Sequence, residues 1–206
     1  AGAVGTVFYR VAFAAVILCA LARPAVRGRS RDDWVAIAAF GVMLAGMNVC
    51  YYVALEHLPI GVTVTLEFTG PLAVAVLGSR RRVDAFWALL AAVGLVLLSP
   101  ISGVDLDVVG VVLAVTAGAL WAGYILMSSQ VGERLAGLDG LALALVVSAA
   151  VTALPAVLTA GGQLLEPKVI GIGVIVAVLA SAIPYACELE ALRTLTPSSF
   201  GMLMSL

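Results

Sequence analysis

Charged residues are scarce in this sequence, and so are histidine and cysteine. Only 11% of the 206 residues are Asp, Glu, Lys or Arg, with one histidine and three isolated cysteines. A formal net charge of −1 argues against the basic surface that nucleic acid requires, and isolated cysteines exclude a disulfide framework or a cysteine-rich metal site. Neither an HExxH motif nor a nucleotide-binding loop is present. We therefore predict no enzyme activity, no metal site, no cofactor and no nucleic-acid partner.

Hydrophobic residues, by contrast, make up 63% of the chain, and the mean hydropathy is +1.17. A helix rises about 1.5 Å per residue, so about 20 apolar residues cross the hydrocarbon core of a bilayer. The apolar segments are residues 2–22, 34–55, 60–78, 85–99, 108–128, 140–158 and 169–187, and another begins near Pro197. They predict an all-α, polytopic transmembrane helix bundle with about seven complete helices and a partial eighth.

The Lys and Arg content of the loops alternates along the chain. Four occur in residues 23–33, none in 56–59, three in 79–84 and none in 100–107. Cytoplasmic loops carry the excess of basic residues, so this alternation predicts that the chain starts outside. The chain has no initiator Met, and its last apolar segment is unfinished. We therefore expect at least one further helix before Ala1 and the remainder of another after Leu206.

An internal repeat emerges when the chain is shifted by 137 residues. Cys50, Ala54, Leu55, Leu58 and Leu66 then align with Cys187, Ala191, Leu192, Leu195 and Leu203. The loop charges predict that the two copies cross the membrane in opposite directions. Inverted repeats are a recurrent plan of secondary transporters, whose substrate sites lie near the midplane. We accordingly divide the chain into a first repeat, residues 1–107, and a second, residues 108–206.

One carboxylate, Glu67, lies inside an apolar segment, about seven residues or about 10 Å below the outer end of its helix. A charge at that depth costs at least a few kcal/mol, so it should face the bundle interior, be partnered or be protonated. Arg10 enters from the same side at a similar depth, which makes it the predicted ion-pair partner. The pair is either part of a substrate site or a structural lock. A protonated Glu67 bonded to a neighbouring helix is the third interpretation.

Two residues flank Glu67 at one-turn spacing. Thr63 lies at i−4 and Pro71 at i+4, and a proline frees the carbonyl one turn before it. Hydroxyl, carboxylate and freed carbonyl therefore share one stripe, which suits a polar solute. The Gly70-Pro71 pair predicts a helix break at that position, and Pro71 is a candidate gate residue.

Further polar and aromatic side chains have helical spacing inside the apolar segments. Asn48, Tyr51 and Tyr52 share one helix face, as do Trp121 and Tyr124. Both sets are candidates for substrate contact. The alternatives are hydrogen bonding between helices for the first set and aromatic packing for the second.

Three candidates lie near the inner end of the seventh segment. Tyr185 precedes Glu188 by three residues, and Pro184 loosens the backbone beside them. Tyr185 is a candidate substrate contact, whereas Pro184 and Glu188 are candidate inner-gate residues. A solvated carboxylate at the membrane interface is the alternative for Glu188.

Several stretches resemble the EamA-type carriers of the drug/metabolite transporter superfamily, most closely the threonine/homoserine exporters. They are residues 48–55 (NVCYYVAL), 66–76 (LEFTGPLAVAV), 79–84 (SRRRVD), 117–126 (AGALWAGYIL) and 183–206 (IPYACELEALRTLTPSSFGMLMSL). The resemblance implies ten helices in two inverted five-helix halves, truncated here. The first segment of this chain then corresponds to the family's second helix.

The resemblance also implies secondary-active export of small amino acids across the bacterial plasma (inner) membrane, with protons and the lipid bilayer as further partners. On this interpretation the substrate carboxylate meets Arg10, its ammonium meets Glu67, and Glu67 exchanges protons for substrate. A carrier of another small metabolite is the alternative within the family. A passive channel and a structural membrane subunit are alternatives from other classes, although channels are usually lined by rings of like residues rather than single polar groups.

Overall fold

The computed structural model describes residues 2–78, 86, 90, 93–94, 106–161, 164 and 166–204, with the backbone alone for Lys168. Its helices are α1 Gly2–Ala22, α2 Arg31–His57, α3 Ile60–Glu67, α4 Thr69–Gly78, α5 Val108–Arg134, α6 Asp139–Ala160, α7 Pro167–Ala177, α8 Ile183–Thr194 and α9 Pro197–Met204. A π-helical turn, Val178–Ala182, joins α7 to α8. Most of the predicted segment 85–99 lies outside the described residues.

Six stretches of the described residues are long and apolar enough to cross a membrane. The helices α1, α2, α5 and α6 each form one alone, while α3 with α4 forms another and α7 with the π-turn and α8 forms the sixth. This finding confirms the prediction of an all-α, multi-pass membrane protein. The inside-outside topology and the division into inverted repeats stay predictions.

The last of these stretches is longer than its apolar segment. The apolar segment ends at Cys187, whereas α8 continues to Thr194. Charged residues end the apolar run without ending the helix. Arg193 lies 3.6 Å from the Glu190 carboxylate and donates to the carbonyl oxygen of Leu135 at 2.9 Å. Hydropathy marks where the apolar surface stops, not where backbone hydrogen bonding stops.

The chain divides into two compact units, which are described separately. The first comprises residues 1–45 and 127–193, and the second comprises residues 46–126 and 194–206. Both α2 and α5 therefore contribute residues to each unit.

In the first unit, α1 packs along α6 and also contacts α7 and the π-turn. A Cβ on Gly41 of α2 would lie 2.5 Å from the Ala144 carbonyl oxygen, so glycine allows α2 to approach α6 closely. Arg29 forms a 2.7 Å ion pair with Asp139, which also accepts the Ala25 N–H at 3.3 Å. These contacts fasten the loop after α1 to the start of α6.

In the second unit, α4 packs against α9, and the Ser198 hydroxyl donates to the Ala75 carbonyl at 2.8 Å. A separate cluster of buried apolar side chains joins the end of α2, the start of α3 and α5. Its members are Ala54, Leu58, Val62 and Ala114. Burial of apolar area in these contacts holds the short helices α3 and α9, which are too short to be stable in isolation.

Asp107 caps the start of α5 and pairs with His57 at the end of α2. Its Oδ1 accepts the Val109 N–H at 2.8 Å, and its Oδ2 lies 2.7 Å from Nδ1 of His57. The hydrogen bond with His57 is the largest cause that lowers the pKa of Asp107 below its ordinary value of 3.8. The carboxylate therefore serves two helix ends at once.

We expect Asp107→Ala to lower the thermal midpoint of unfolding by a few degrees near neutral pH, because the substitution removes a helix cap and the His57 contact. Asp107→Asn keeps a capping oxygen and is expected to lower the midpoint less than Asp107→Ala does. Since the pKa of Asp107 is lowered by folding, its contribution is present above the unfolded-state pKa and is lost as pH falls through the lowered folded-state pKa.

The thermal midpoints of detergent-solubilised wild type and Asp107→Ala, measured across pH, test this prediction. The wild-type advantage is expected to persist at about pH 5 and to shrink below about pH 4. An equal midpoint near neutral pH, or a difference that grows with acidification, would contradict it.

Candidate functional site

Arg10 lies in the apolar helix α1 and is partly buried. Its guanidinium donates to neighbouring oxygen atoms of the first unit. Nε donates to Oγ of Ser181 at 2.8 Å, while Nη2 donates to the Ala180 carbonyl at 2.8 Å and to the Tyr185 hydroxyl at 3.1 Å. All three acceptors are neutral, so they orient the cation without adding negative charge.

Pro184 explains why the Ala180 carbonyl is available. In an α-helix this carbonyl would accept the N–H of residue 184, which proline lacks. The backbone forms the π-turn Val178–Ala182 here, and the Ile183 N–H donates to the Val178 carbonyl. π-Helical turns are rare in proteins, and those that occur often lie at functional sites. The guanidinium thus donates to a carbonyl to which residue 184, a proline, cannot donate.

Tyr185 is buried, with 5% of its surface exposed, and meets Arg10 through its hydroxyl rather than its ring face. The guanidinium carbon lies 6.0 Å from the ring centroid, at the outer limit of a cation–π contact. Pro184 and Glu188 are both partly buried on α8. Two predicted site residues, Arg10 and Tyr185, are therefore in contact. The gate roles of Pro184 and Glu188 stay predictions.

Glu67 is the last residue of α3 and is partly buried. The helix breaks at Phe68, before α4 begins at Thr69, so the predicted break at Gly70-Pro71 is wrong in position. A proline acts on the turn before it, because it cannot donate to the carbonyl four residues earlier, which here is that of Glu67. The break therefore falls directly after the carboxylate.

Helix α5 passes this break at Gly118. A Cβ on Gly118 would lie 2.7 Å from the Glu67 carbonyl oxygen, and a Cβ on Gly70 would overlap the Gly118 carbonyl oxygen. Glycine at both positions lets the two backbones approach this closely. One turn further along α5, the Trp121 ring meets Phe68 edge to face, with centroids 5.0 Å apart. The end of α3 that carries Glu67 therefore packs against the Trp121 turn of α5.

The remaining candidates of the second unit are polar or aromatic. Tyr124 and Thr63 are fully buried, and Asn48 is buried. The Thr63 hydroxyl donates to the carbonyl four residues earlier at 3.2 Å, so it presents lone pairs rather than a proton to other groups. Tyr51 and Tyr52 are partly exposed and pack edge to face, with centroids 5.6 Å apart. Their contact with a substrate stays a prediction.

Arg10 and Glu67 belong to different units, and the ion pair between them stays a prediction. Sequence reasoning missed Ser181 as a partner of Arg10. A signal was present, since Ser181 is a polar residue in an apolar segment, three residues before Pro184 and four before Tyr185. That spacing lies on one helix face.

Metal ligands do not cluster in the described part of the chain. There, no three His, Cys, Asp or Glu side chains form a group able to hold a metal ion. Cys19, Cys50 and Cys187 are free thiols, and the Cys19 thiol lies 3.8 Å from the Ala142 carbonyl oxygen. Guanidinium, carboxylate, hydroxyl and aromatic groups therefore supply the chemistry of the candidate site.

Comparison with known proteins places these residues in a family context. The sequence model of the EamA-like transporter family matches residues 108–206. The threonine/homoserine exporter RhtA of Escherichia coli (strain K12) is 39% identical over 208 residues, covering 100% of this chain and 70% of that protein. The threonine/homoserine exporter RhtA of Salmonella typhimurium (strain LT2) is 38% identical with the same coverage.

One solved crystal structure of a protein is also similar. Its TM-score is 0.69 at 21% sequence identity, covering 98% of this chain and 74% of that chain. At this identity the likeness shows the fold alone.

Proposed function

Since this chain belongs to the EamA-like transporter family, we propose that it exports small hydroxyl-bearing amino acids, such as threonine and homoserine, across the bacterial plasma membrane. The observation that carries the proposal is the Arg10 guanidinium, oriented by Ser181 and its neighbours inside an apolar span. The exporters that are 39% identical to this chain support the substrate class. A shared scaffold alone would not fix the substrate.

Arg10 binds the carboxylate of the amino acid. A guanidinium forms charge-assisted hydrogen bonds to a carboxylate, and in Arg10 the donors on Nη1 would meet the substrate while Nε and Nη2 are held by the protein. An intramembrane cation is costly to bury and typically lies on a substrate path or in an ion pair. The acceptors on Nε and Nη2 hold the plane of Arg10, so less conformational entropy is lost when substrate binds.

Glu67 binds the ammonium group and also couples transport to protons. A single carboxylate compensates one positive charge at a time, so it holds either a proton or the substrate ammonium. Arrival of the amino acid from the inside displaces the proton, and a proton from the outside displaces the amino acid. This exchange links export to the inward proton gradient and makes the protein a secondary-active antiporter.

The other candidates shape the site and its access. Those that contact substrate in this proposal are Asn48, Tyr51, Thr63, Trp121, Tyr124 and Tyr185. The two interruptions of helical hydrogen bonding, associated with Pro71 and Pro184, are the points at which the backbone adapts during alternating access. Glu188, one turn after Pro184, belongs to the inner gate.

Efflux from preloaded cells tests the proposal. Host cells deleted for their own threonine exporters, with and without the full-length gene product, are loaded with threonine, homoserine or valine. Valine has the shape of threonine without the hydroxyl, and a site that hydrogen-bonds the hydroxyl should reject it at least about tenfold. We expect threonine and homoserine efflux above the background of cells lacking the protein. Background efflux of both would overturn the proposed substrate class.

A further inference from the structure

The polar side of the π-turn Val178–Ala182 faces Arg10 at two consecutive residues. Ser181 supplies a hydroxyl to Nε, and Ala180 supplies a carbonyl to which Pro184 cannot donate. We infer that Ser181 is a positioning residue that, together with this carbonyl, fixes the guanidinium of Arg10 for the substrate carboxylate. The inference rests on the proposed function and adds the residues that make the carboxylate site selective.

The geometry of the guanidinium explains how these contacts act. The group is planar, and Nε, Cζ and Nη2 define its plane. Holding Nε at Ser181 and Nη2 at Ala180 therefore fixes the direction of every donor in the group, including those that would meet a carboxylate. Without the Ser181 contact, Nε loses its acceptor and the guanidinium is oriented less strictly, although Nη2 keeps Ala180 and Tyr185. The substrate carboxylate would approach in that plane toward the donors of Nη1, since Nε and Nη2 already donate to Ser181, Ala180 and Tyr185.

A positioning role differs from a packing role in what it changes. Ser181 is fully buried, so removal of its hydroxyl could act through packing alone. A packing defect would weaken binding of every ligand of the site to a similar extent. Loss of positioning should weaken only ligands that carry a carboxylate. An amino alcohol, which keeps the ammonium and the hydroxyl but lacks the carboxylate, separates the two roles.

The first unit also supplies a matched control. Ser148 on α6 is fully buried like Ser181, and its hydroxyl has no hydrogen-bond partner among the described residues. Ser148→Ala therefore removes an equally buried hydroxyl that does not hold Arg10. It controls for the general effect of Ser→Ala inside the membrane.

The experiment is threonine counterflow in proteoliposomes containing the full-length protein, with threoninol as a competing amino alcohol. We expect Ser181→Ala to raise the KM for threonine about tenfold, because a hydrogen bond to a charged group is lost. Its Vmax and the inhibition constant of threoninol are expected to stay within about twofold of wild type. Ser148→Ala is expected to leave all three quantities within about twofold of wild type.

Two results would overturn the inference. One is an unchanged KM for threonine in Ser181→Ala, and the other is a parallel weakening of threonine and threoninol binding. If Ser181→Ala fails to reach the membrane, Ser181→Cys replaces it, because sulfur is only a weak acceptor for Nε. The same two criteria then apply to Ser181→Cys. Absence of counterflow in the wild type overturns the proposed function and this inference together. Wild-type counterflow with an unaltered Ser181→Ala variant overturns this inference alone.

Discussion

Replacement of Gly70 by alanine is expected to destabilise the protein by about 3 kcal/mol or more, enough to prevent recovery of folded protein. The new Cβ would overlap the carbonyl oxygen of Gly118, and a backbone atom cannot rotate away as a side chain can. Relief of this overlap would require α4 and α5 to separate, and their separation would break the contact between Phe68 and Trp121. The thermal midpoint and the monodisperse fraction of detergent-solubilised protein measure the effect.

Gly171→Ala is the matched control for this substitution. Gly171 also lies inside a helix, α7, but a Cβ there would meet no atom within 4 Å. Alanine is a better helix former than glycine by about 1 kcal/mol, so the midpoint should stay the same or rise slightly. A wild-type midpoint in Gly70→Ala would contradict the close approach of α4 and α5.

Replacement of Glu67 by glutamine is expected to lower threonine export at least about tenfold, because an amide neither exchanges a proton nor makes a charge-assisted contact with an ammonium group. Glutamine has nearly the shape of glutamate, so the break at Phe68 and the packing of α3 should persist. Efflux of preloaded threonine, normalised to the amount of protein in the membrane, measures the effect. Export at the wild-type rate would remove Glu67 from the transport mechanism.

Glu133→Gln is the control for this substitution. Glu133 is an exposed carboxylate on α5, and its neutralisation should change export by less than about twofold. If Glu67 serves only as a structural lock, Glu67→Gln would reduce the amount of folded protein while each remaining molecule exports at the wild-type rate. The normalised rate therefore separates transport from folding.

Hydropathy alone predicted the membrane-spanning plan of the described residues. The first apolar segment, residues 2–22, coincides with α1, and the segment at 60–78 coincides with α3 and α4. Segments of this kind are predictable because a bilayer demands both an apolar surface and complete backbone hydrogen bonding, which together leave little besides a helix.

The breaks within the helices were less predictable. Pro71 indicated an interruption, but its effect falls on the carbonyl of Glu67, one turn earlier, and the turn forms at Phe68. Pro184 likewise gave no sign that a π-turn would precede it. There a guanidinium from α1 donates to the Ala180 carbonyl, and such a tertiary contact cannot be read from the local sequence.

The sequence singles out the charged candidates of the site but not Ser181, which contacts one of them. Arg10 and Glu67 stand out because charge is rare and costly inside an apolar segment. Ser181 does not stand out in the same way, since serine is common in membrane helices and usually bonds to its own backbone. Its spacing from Pro184 and Tyr185 is a weak signal, and the contact with Nε of Arg10 is what identifies its role.

The most direct test of proton-coupled amino-acid export is the movement of protons driven by threonine in proteoliposomes of the purified, full-length protein. The vesicles are loaded with threonine and a pH-sensitive dye, and are then diluted into threonine-free buffer at equal pH with the membrane potential clamped. The account predicts that the interior acidifies as threonine leaves. Each threonine that is released outside is replaced on Glu67 by a proton, which the protein then carries inward. Threonine efflux without a change of internal pH, or no efflux at all, would contradict it.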